Sequence, residues 1–248
     1  MEYNDTTGKS GLIQDCEFWT NLGDGTISGD ATLLARFTGL INNGYDEVLP
    51  GVFSSDAKWQ WDDPNQTKHP ILTFDLVAGQ ADYTFITDEQ GNSILEIEAV
   101  YVKDPGGTWR KMDAVDSGSD PHTSAIFAQN SSNTGTPTRY DKRGPTIWLD
   151  AIPNYSQSGG IRLLFNRTPS YFGSTDTTKT PGIPNLFHRL LSMIASRDWL
   201  MVNKSEQVAL INNVVNAITI KKAELAQFMS RRAKDERPVI RARIEDSR

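Results

Sequence analysis

Cys16 is the chain's single cysteine, so no intrachain disulfide can form and no cysteine-based zinc cluster can be built. Histidine is nearly as scarce. His69, His122 and His188 are the full set, and none stands in HExxH or another ligand spacing, which argues against a bound metal. A GxSxG elbow for a serine nucleophile is missing. Gly23-Asp24-Gly25 and Gly106-Gly107 lack the Gly-Lys-Ser/Thr that completes a phosphate loop. Long apolar runs are also missing: residues 161–165, IRLLF, fall far short of the ~20 residues a membrane span requires. Residues 1–10 carry Glu2, Asp5 and Lys9 with no apolar stretch behind a basic start, unlike a secretory leader. These absences predict a chain that is not an enzyme, holds no cofactor and meets no membrane.

The 248 residues suffice for one large or two small cores, and 38% hydrophobic against 23% charged content can bury a real interior. Mean hydropathy is −0.46. The formal net charge of −6 excludes whole-molecule electrostatic attraction to nucleic acid and leaves room only for a local basic patch. Charge is unevenly spread. Residues 231–248 hold seven basic and four acidic side chains, a net +3 that leaves −9 for the rest. Asn-x-Ser/Thr triplets at Asn4, Asn65, Asn130, Asn154, Asn166 and Asn203 read as coincidence in a chain rich in Asn and Thr.

Along the chain the hydrophobic period changes twice. Leu33, Phe37, Leu40 and Ile41 fall at helical spacing behind Asp30, a cap residue. Asn42-Asn43-Gly44 is expected to interrupt that helix, and a further turn over 45–49 to end at Pro50. Between 71 and 167 short alternating runs separated by Gly, Asp, Asn and Pro predict strands at 71–75, 81–85, 94–103, 109–112, 138–140, 146–149 and 160–166. Asp104-Pro105-Gly106-Gly107 suits a hairpin connection, and 114–135 a long loop with one apolar island at 125–128. Helical spacing returns after Pro184, with Leu186, Phe187, Leu190, Leu191, Ile194, Trp199 and Leu200 on one broad face. After a break near Asn203 and Ser205, Val208, Ile211, Val215, Ile218, Leu225 and Met229 recur at three- and four-residue steps.

The fold expected is α+β: a bundle of N- and C-terminal helices, an inserted antiparallel β-domain of sandwich or barrel-like form, and an extended C-terminal arm. The boundaries are an N-terminal extension at 1–28, helical parts at 29–66 and 169–230, the β-domain at 67–168 and the basic arm at 231–248.

Carboxylate pairs at Asp62-Asp63 and at Glu96 and Glu98 supply the minimal kit for glycoside hydrolysis, but a turn before Pro64 and a solvated strand face explain them without chemistry. Trp59 and Trp61 share one side of an extended segment and could stack sugars or bases; covering a junction is the plainer role. Trp109, Trp148 and Trp199 are expected in the core. In the arm, Arg231, Arg232, Arg237, Arg241 and Arg243 interleave with Pro238, Val239, Ile240 and Ile244, which fits docking on an acidic protein partner better than a purely solvating tail. Leu190, Ile194, Ile211, Val215, Ile218 and Leu225 are the expected helix and ring packing positions. A carbohydrate- or surface-binding β-module on a helical oligomerisation stalk is the competing reading, with Trp59 and Trp61 as its platforms.

Read in order, the early helix, WQWDD at 59–63, ILTFDL, ADYTFI, ILEIEAVYV, GTWRKM, TPTRYDKRGPTIWLDAIPN, GIRLLFNRTPSYF and PGIPNLFHRLLSMIASRDWL resemble the head-to-tail adaptors of short-tailed phages, the tail tubular protein A-like proteins. The resemblance covers about residues 30–230 and rests on order and texture, not on a catalytic signature. It implies a structural virion protein of the neck, made in the bacterial host cytoplasm: a homo-oligomeric ring, expected to be a dodecamer, seated on the portal protein. A tail tube, nozzle or stopper protein would lie below it, and genomic DNA would pass through the lumen during ejection without sequence-specific binding.

Overall fold

The computed structural model describes residues 1–54, 71–88, 91–116 and 133–232. The chain divides into two compact units, a helical one built from residues 1–65 and 170–248 and a β-unit of residues 66–169. It is an α+β protein.

The helical unit contains α1 (Leu12–Trp19), α2 (Ala31–Ser54), a 3-10 turn (Asn185–Phe187), α3 (His188–Asn203) and α4 (Val208–Arg232). Residues 1–28, expected as an extension, hold α1. Its Leu12, Ile13 and Cys16 stand one and four positions apart on one face, and they are fully buried with Tyr3 and Ile27 in the helical core. The helix stops where the Thr20 N–H and hydroxyl both return to the Cys16 carbonyl, and Asn21 follows at φ 52°.

Asp30 caps α2 as expected, its Oδ1 accepting the N–H groups of Thr32 and Leu33 at 2.8 and 3.0 Å. The break expected at Asn42-Asn43-Gly44 does not occur, nor does the stop at Pro50: α2 runs unbroken through both to Ser54. The reasons are tertiary. Asn42 bonds to the backbone of residue 172, and Gly44 is buried against α3, where a Cβ would meet Ile194 at an ordinary contact distance of 3.5 Å. Pro50 is exposed and only one turn from the helix end, so little helix is left beyond it to disrupt.

The β-unit has two four-stranded sheets. The first runs β1 (Ile71–Leu76), β8 (Gln157–Arg167), β3 (Ile94–Lys103), β4 (Trp109–Lys111), and the second β2 (Asp82–Thr84), β7 (Thr146–Leu149), β6 (Arg139–Arg143), β5 (Asp113–Val115). All pairings are antiparallel except β5 with β6, which is parallel. Among the described residues both sheets are open, so the barrel-like alternative is corrected: three-residue edge strands end the ladders instead of closing them. Val100, Val102, Ile161, Leu163 and Phe165 of the first sheet and Tyr83, Tyr140, Ile147 and Leu149 around the second join one apolar cluster. Gly159 at φ 53° and Gly160, where a Cβ would fall 2.7 Å from Leu76, allow the bulge that lets β8 turn against β1. Trp109 and Trp148, expected in the core, are half-exposed on their sheets; Trp199 is buried.

Candidate functional site

Helix α3 sits at the centre of the helical unit, and its sequence shows why: Leu190, Leu191, Ile194, Ala195 and Leu200 are fully buried, which is more than one face of a surface helix. Of the six packing positions read from the sequence, Leu190, Ile194, Ile218 and Leu225 are buried inside the chain's own core, while Ile211 and Val215 are half-exposed. On α4 the buried seam runs through Val214, Ile218, Leu225 and Met229.

One polar network ties three helices together. Arg197 of α3 donates in bidentate fashion to Glu47 of α2, at 2.9 and 2.6 Å, and also to Asp198; Lys222 of α4 donates to Glu47 at 2.6 Å. The Arg197 hydrogen bonds, helped by Lys222, hold the Glu47 carboxyl down at about 2 despite partial burial. Between α2 and α4, Val48, Gly51, Leu225 and Ala226 line a small hollow beside this network.

A second buried polar group is His188. Its Nδ1 accepts from the Met1 amino group at 2.9 Å and its Nε2 lies 2.7 Å from the Ile183 carbonyl. Burial and the positive amino group pull its pKa down to about 4, so the ring is neutral and serves as a structural link. Asp15 is held by Arg189, Ser192 and Trp19, and burial raises its pKa. Burial also pushes the Cys16 thiol upward, which makes it a packing residue with no nucleophilic character.

The arm begins where α4 ends. Arg231 lies exposed in the last turn, and Arg232 closes the helix. Arg237, Pro238, Val239, Ile240, Arg241, Arg243 and Ile244 lie outside the described residues, as do Trp59, Trp61, Asp62, Asp63, His69 and His122. Glu96 and Glu98 are exposed on β3, the former 3.4 Å from Asn166 Nδ2. Among the described residues no group of His, Cys, Asp and Glu is placed to hold a metal ion, and no helix is long and apolar enough to cross a membrane.

Several apolar side chains are exposed, among them Leu186 and Val208, which helical spacing had put on the apolar faces. Phe18 on α1 is 69% exposed and Leu186 in the 3-10 turn 71%, with the Arg189 guanidinium lying 5.8 Å from the Phe18 ring. Met201, Val202 and Val208 crowd the α3–α4 turn, and Ile220 stands out from α4. Exposed one by one, such side chains are ordinary on a protein surface; only a contiguous patch would mark a contact. The signal for Leu186 was its place before the first full turn of α3, where the helical face does not yet apply.

In comparisons with known proteins, the family model described as SU10 adaptor protein matches residues 9–241. A search of curated proteins found no match.

Proposed function

The chain belongs to the SU10 adaptor protein family, a family of phage head-to-tail adaptors, and from this membership we propose that it forms the neck ring joining portal to tail. The observation that carries the reading is the length of the match: residues 9–241 take in both compact units and the start of the arm, so the whole architecture is that of the family and not one shared piece. In this reading the protein is a structural component of the virion neck and performs no reaction. The helical unit forms the ring and the portal contact, the β-unit faces the tail or the outside, and genomic DNA passes through the lumen.

Ring closure needs a heterologous contact, in which two different faces of one copy meet. The exposed Phe18, Leu186, Val202 and Ile220 are available to such contacts. The twelve-fold symmetry, the portal docking by Arg231, Arg232, Arg237, Pro238, Val239, Ile240, Arg241, Arg243 and Ile244, and the partner below the ring belong to this proposal.

The test is a truncation. Because α4 continues to Arg232 and Met229 is buried, the cut belongs after Arg232. Deleting 233–248 leaves a folded chain, checked by its melting curve, that no longer assembles on purified portal, checked by particle mass and electron micrographs. A truncated chain that still forms portal-bound rings overturns the arm assignment, and a full-length chain that forms no ring with portal overturns the adaptor reading.

A further inference from the structure

In a chain whose formal charge is −6, one sheet face is cationic and free of carboxylate partners. On the first sheet, Val100, Val102, Ile161, Leu163 and Phe165 point into the core, so the alternating positions Tyr101, Lys103 and Arg162 lie on the opposite face. The register completes a row: Thr73 of β1 pairs with Arg162 of β8, which pairs with Tyr101 of β3, which pairs with Lys111 of β4; Lys103 pairs with Trp109 one step along. Lys111 and Thr73 are exposed, and Tyr101, Lys103, Trp109 and Arg162 are half-exposed. The Arg162 guanidinium lies 4.1 Å and the Lys103 ammonium 4.9 Å from the centroid of the Trp109 ring, so one indole holds two cations in place.

Among the described residues, none of Lys103, Lys111 and Arg162 forms an ion pair, and Arg162 Nε is buried without a hydrogen-bond partner. Neutralisation was available close by. Arg110, between Trp109 and Lys111 but on the other side of β4, is paired with Asp104 at 2.9 Å. The acids of the same sheet do not pair with these cations: Asp75, exposed on the same face at the β1 bulge, takes its hydrogen bonds from Ser158 and Gly159, and Glu96 and Glu98 lie at the opposite end of β3. With strands about 4.8 Å apart, the Arg162 and Lys111 positions stand roughly 10 Å from each other, with Tyr101 and no carboxylate between them in the row. Cations held near one another without counter-charge repel, and the fold retains the arrangement.

We propose that this outer sheet face is a contact surface for the phosphate backbone of duplex DNA, recognised by charge and not by sequence. The row offers Arg, Lys, Tyr and Thr side chains, the types that meet phosphates. The inference goes beyond the adaptor reading, from which it takes only the presence of DNA. It is measured on the chain without portal, so that its failure leaves ring and portal assembly standing.

The experiment is anisotropy of a short fluorescent duplex titrated with the full chain at a series of salt concentrations. The expected result is sequence-independent binding that weakens with salt, with a log–log slope near −2.7 for three phosphate contacts. Lys103→Gln and Lys111→Gln each lower that slope by about 1, while Arg110→Gln, the same charge change on the other side of the strand, leaves it unchanged. Melting curves confirm that the variants fold. The inference is overturned by absence of binding at ~50 mM salt, by Arg110→Gln costing as much as Lys111→Gln, or by polyglutamate displacing the duplex at equal charge concentration. Loss of binding on deletion of 233–248 with no effect of Lys111→Gln overturns it too, because the arm would then be the DNA contact.

Discussion

Asn42 donates through Nδ2 to the carbonyl of residue 172 at 3.0 Å and accepts that residue's N–H on Oδ1 at 2.9 Å, so one side chain serves both backbone groups of a buried position. In the sequence the same Asn, followed by Asn43 and Gly44, marks the end of a helix, since each is a poorer helix former than Ala by a fraction of a kcal/mol to about 1 kcal/mol. Two tertiary hydrogen bonds outweigh that local preference, and they cannot be seen from neighbouring residues. Replacing Asn42 by Ala strands the N–H and C=O of residue 172, a loss of about 2–6 kcal/mol at ~1–3 kcal/mol per buried unsatisfied group. Asn43→Ala, at an exposed position, leaves stability unchanged or slightly raised. Urea midpoints of the two variants decide: equal midpoints would mean that the clamp contributes nothing and that α2 is continuous for another reason.

At the scale of elements, legibility followed local alternation more than length: the longest strand, β8, begins three residues before the expected 160. β3 and β7 coincide with the strands expected at 94–103 and 146–149, because alternation over a run of that kind leaves little freedom in placing the ends. β5 was missed, although the equally short β2 and β4 fell inside expected runs, because its parallel pairing with β6 is set by a partner far along the chain. α1 was missed inside a stretch dominated by polar residues, though Leu12, Ile13 and Cys16 carry its inward face. α4 was seen as a helix, yet spacing alone did not separate its buried seam from its wet side, since Val208 and Ile220 are as apolar as Val214 and Ile218 but exposed. Leu225→Ala therefore costs about 2–5 kcal/mol as a core truncation, while Ile220→Ser changes stability by less than about 0.5 kcal/mol. Thermal or denaturant unfolding of the pair checks the seam, and a costly Ile220→Ser would show that α4 is turned differently. The candidate docking arm was legible only as composition: charge and interleaved apolar residues name a kind of partner, not a geometry.

For the molecule as a whole, the strongly shifted acid-sensitive groups among the described residues belong to the helical unit, with its own apolar cluster distinct from that of the β-unit. His188, lowered from 6.5 to about 4 by burial and the Met1 amino group, binds protons more weakly when folded, so its contribution is complete above pH 6.5 and is lost as the pH falls toward about 4. Glu47, lowered from 4.5 to about 2 by Arg197 and Lys222, adds stability above pH 4.5 that is lost as the pH falls toward about 2. Asp15 opposes them, because burial raises its pKa and protonation then favours the folded state. In the β-unit the lowered carboxyls Asp75 and Asp104 lie in exposed hydrogen-bonded turns. Acid is thus expected to loosen the helical unit in two successive windows, the first governed by a single imidazole. The melting temperature of the full chain should fall between pH 6.5 and about 4, and His188→Gln, whose amide can still donate to Ile183, should flatten that slope even if it lowers the curve as a whole. Glu47→Gln should flatten only the part below pH 4.5. Parallel curves for wild type and His188→Gln across the upper window would show that the buried imidazole is not what makes the helical unit sensitive to acid.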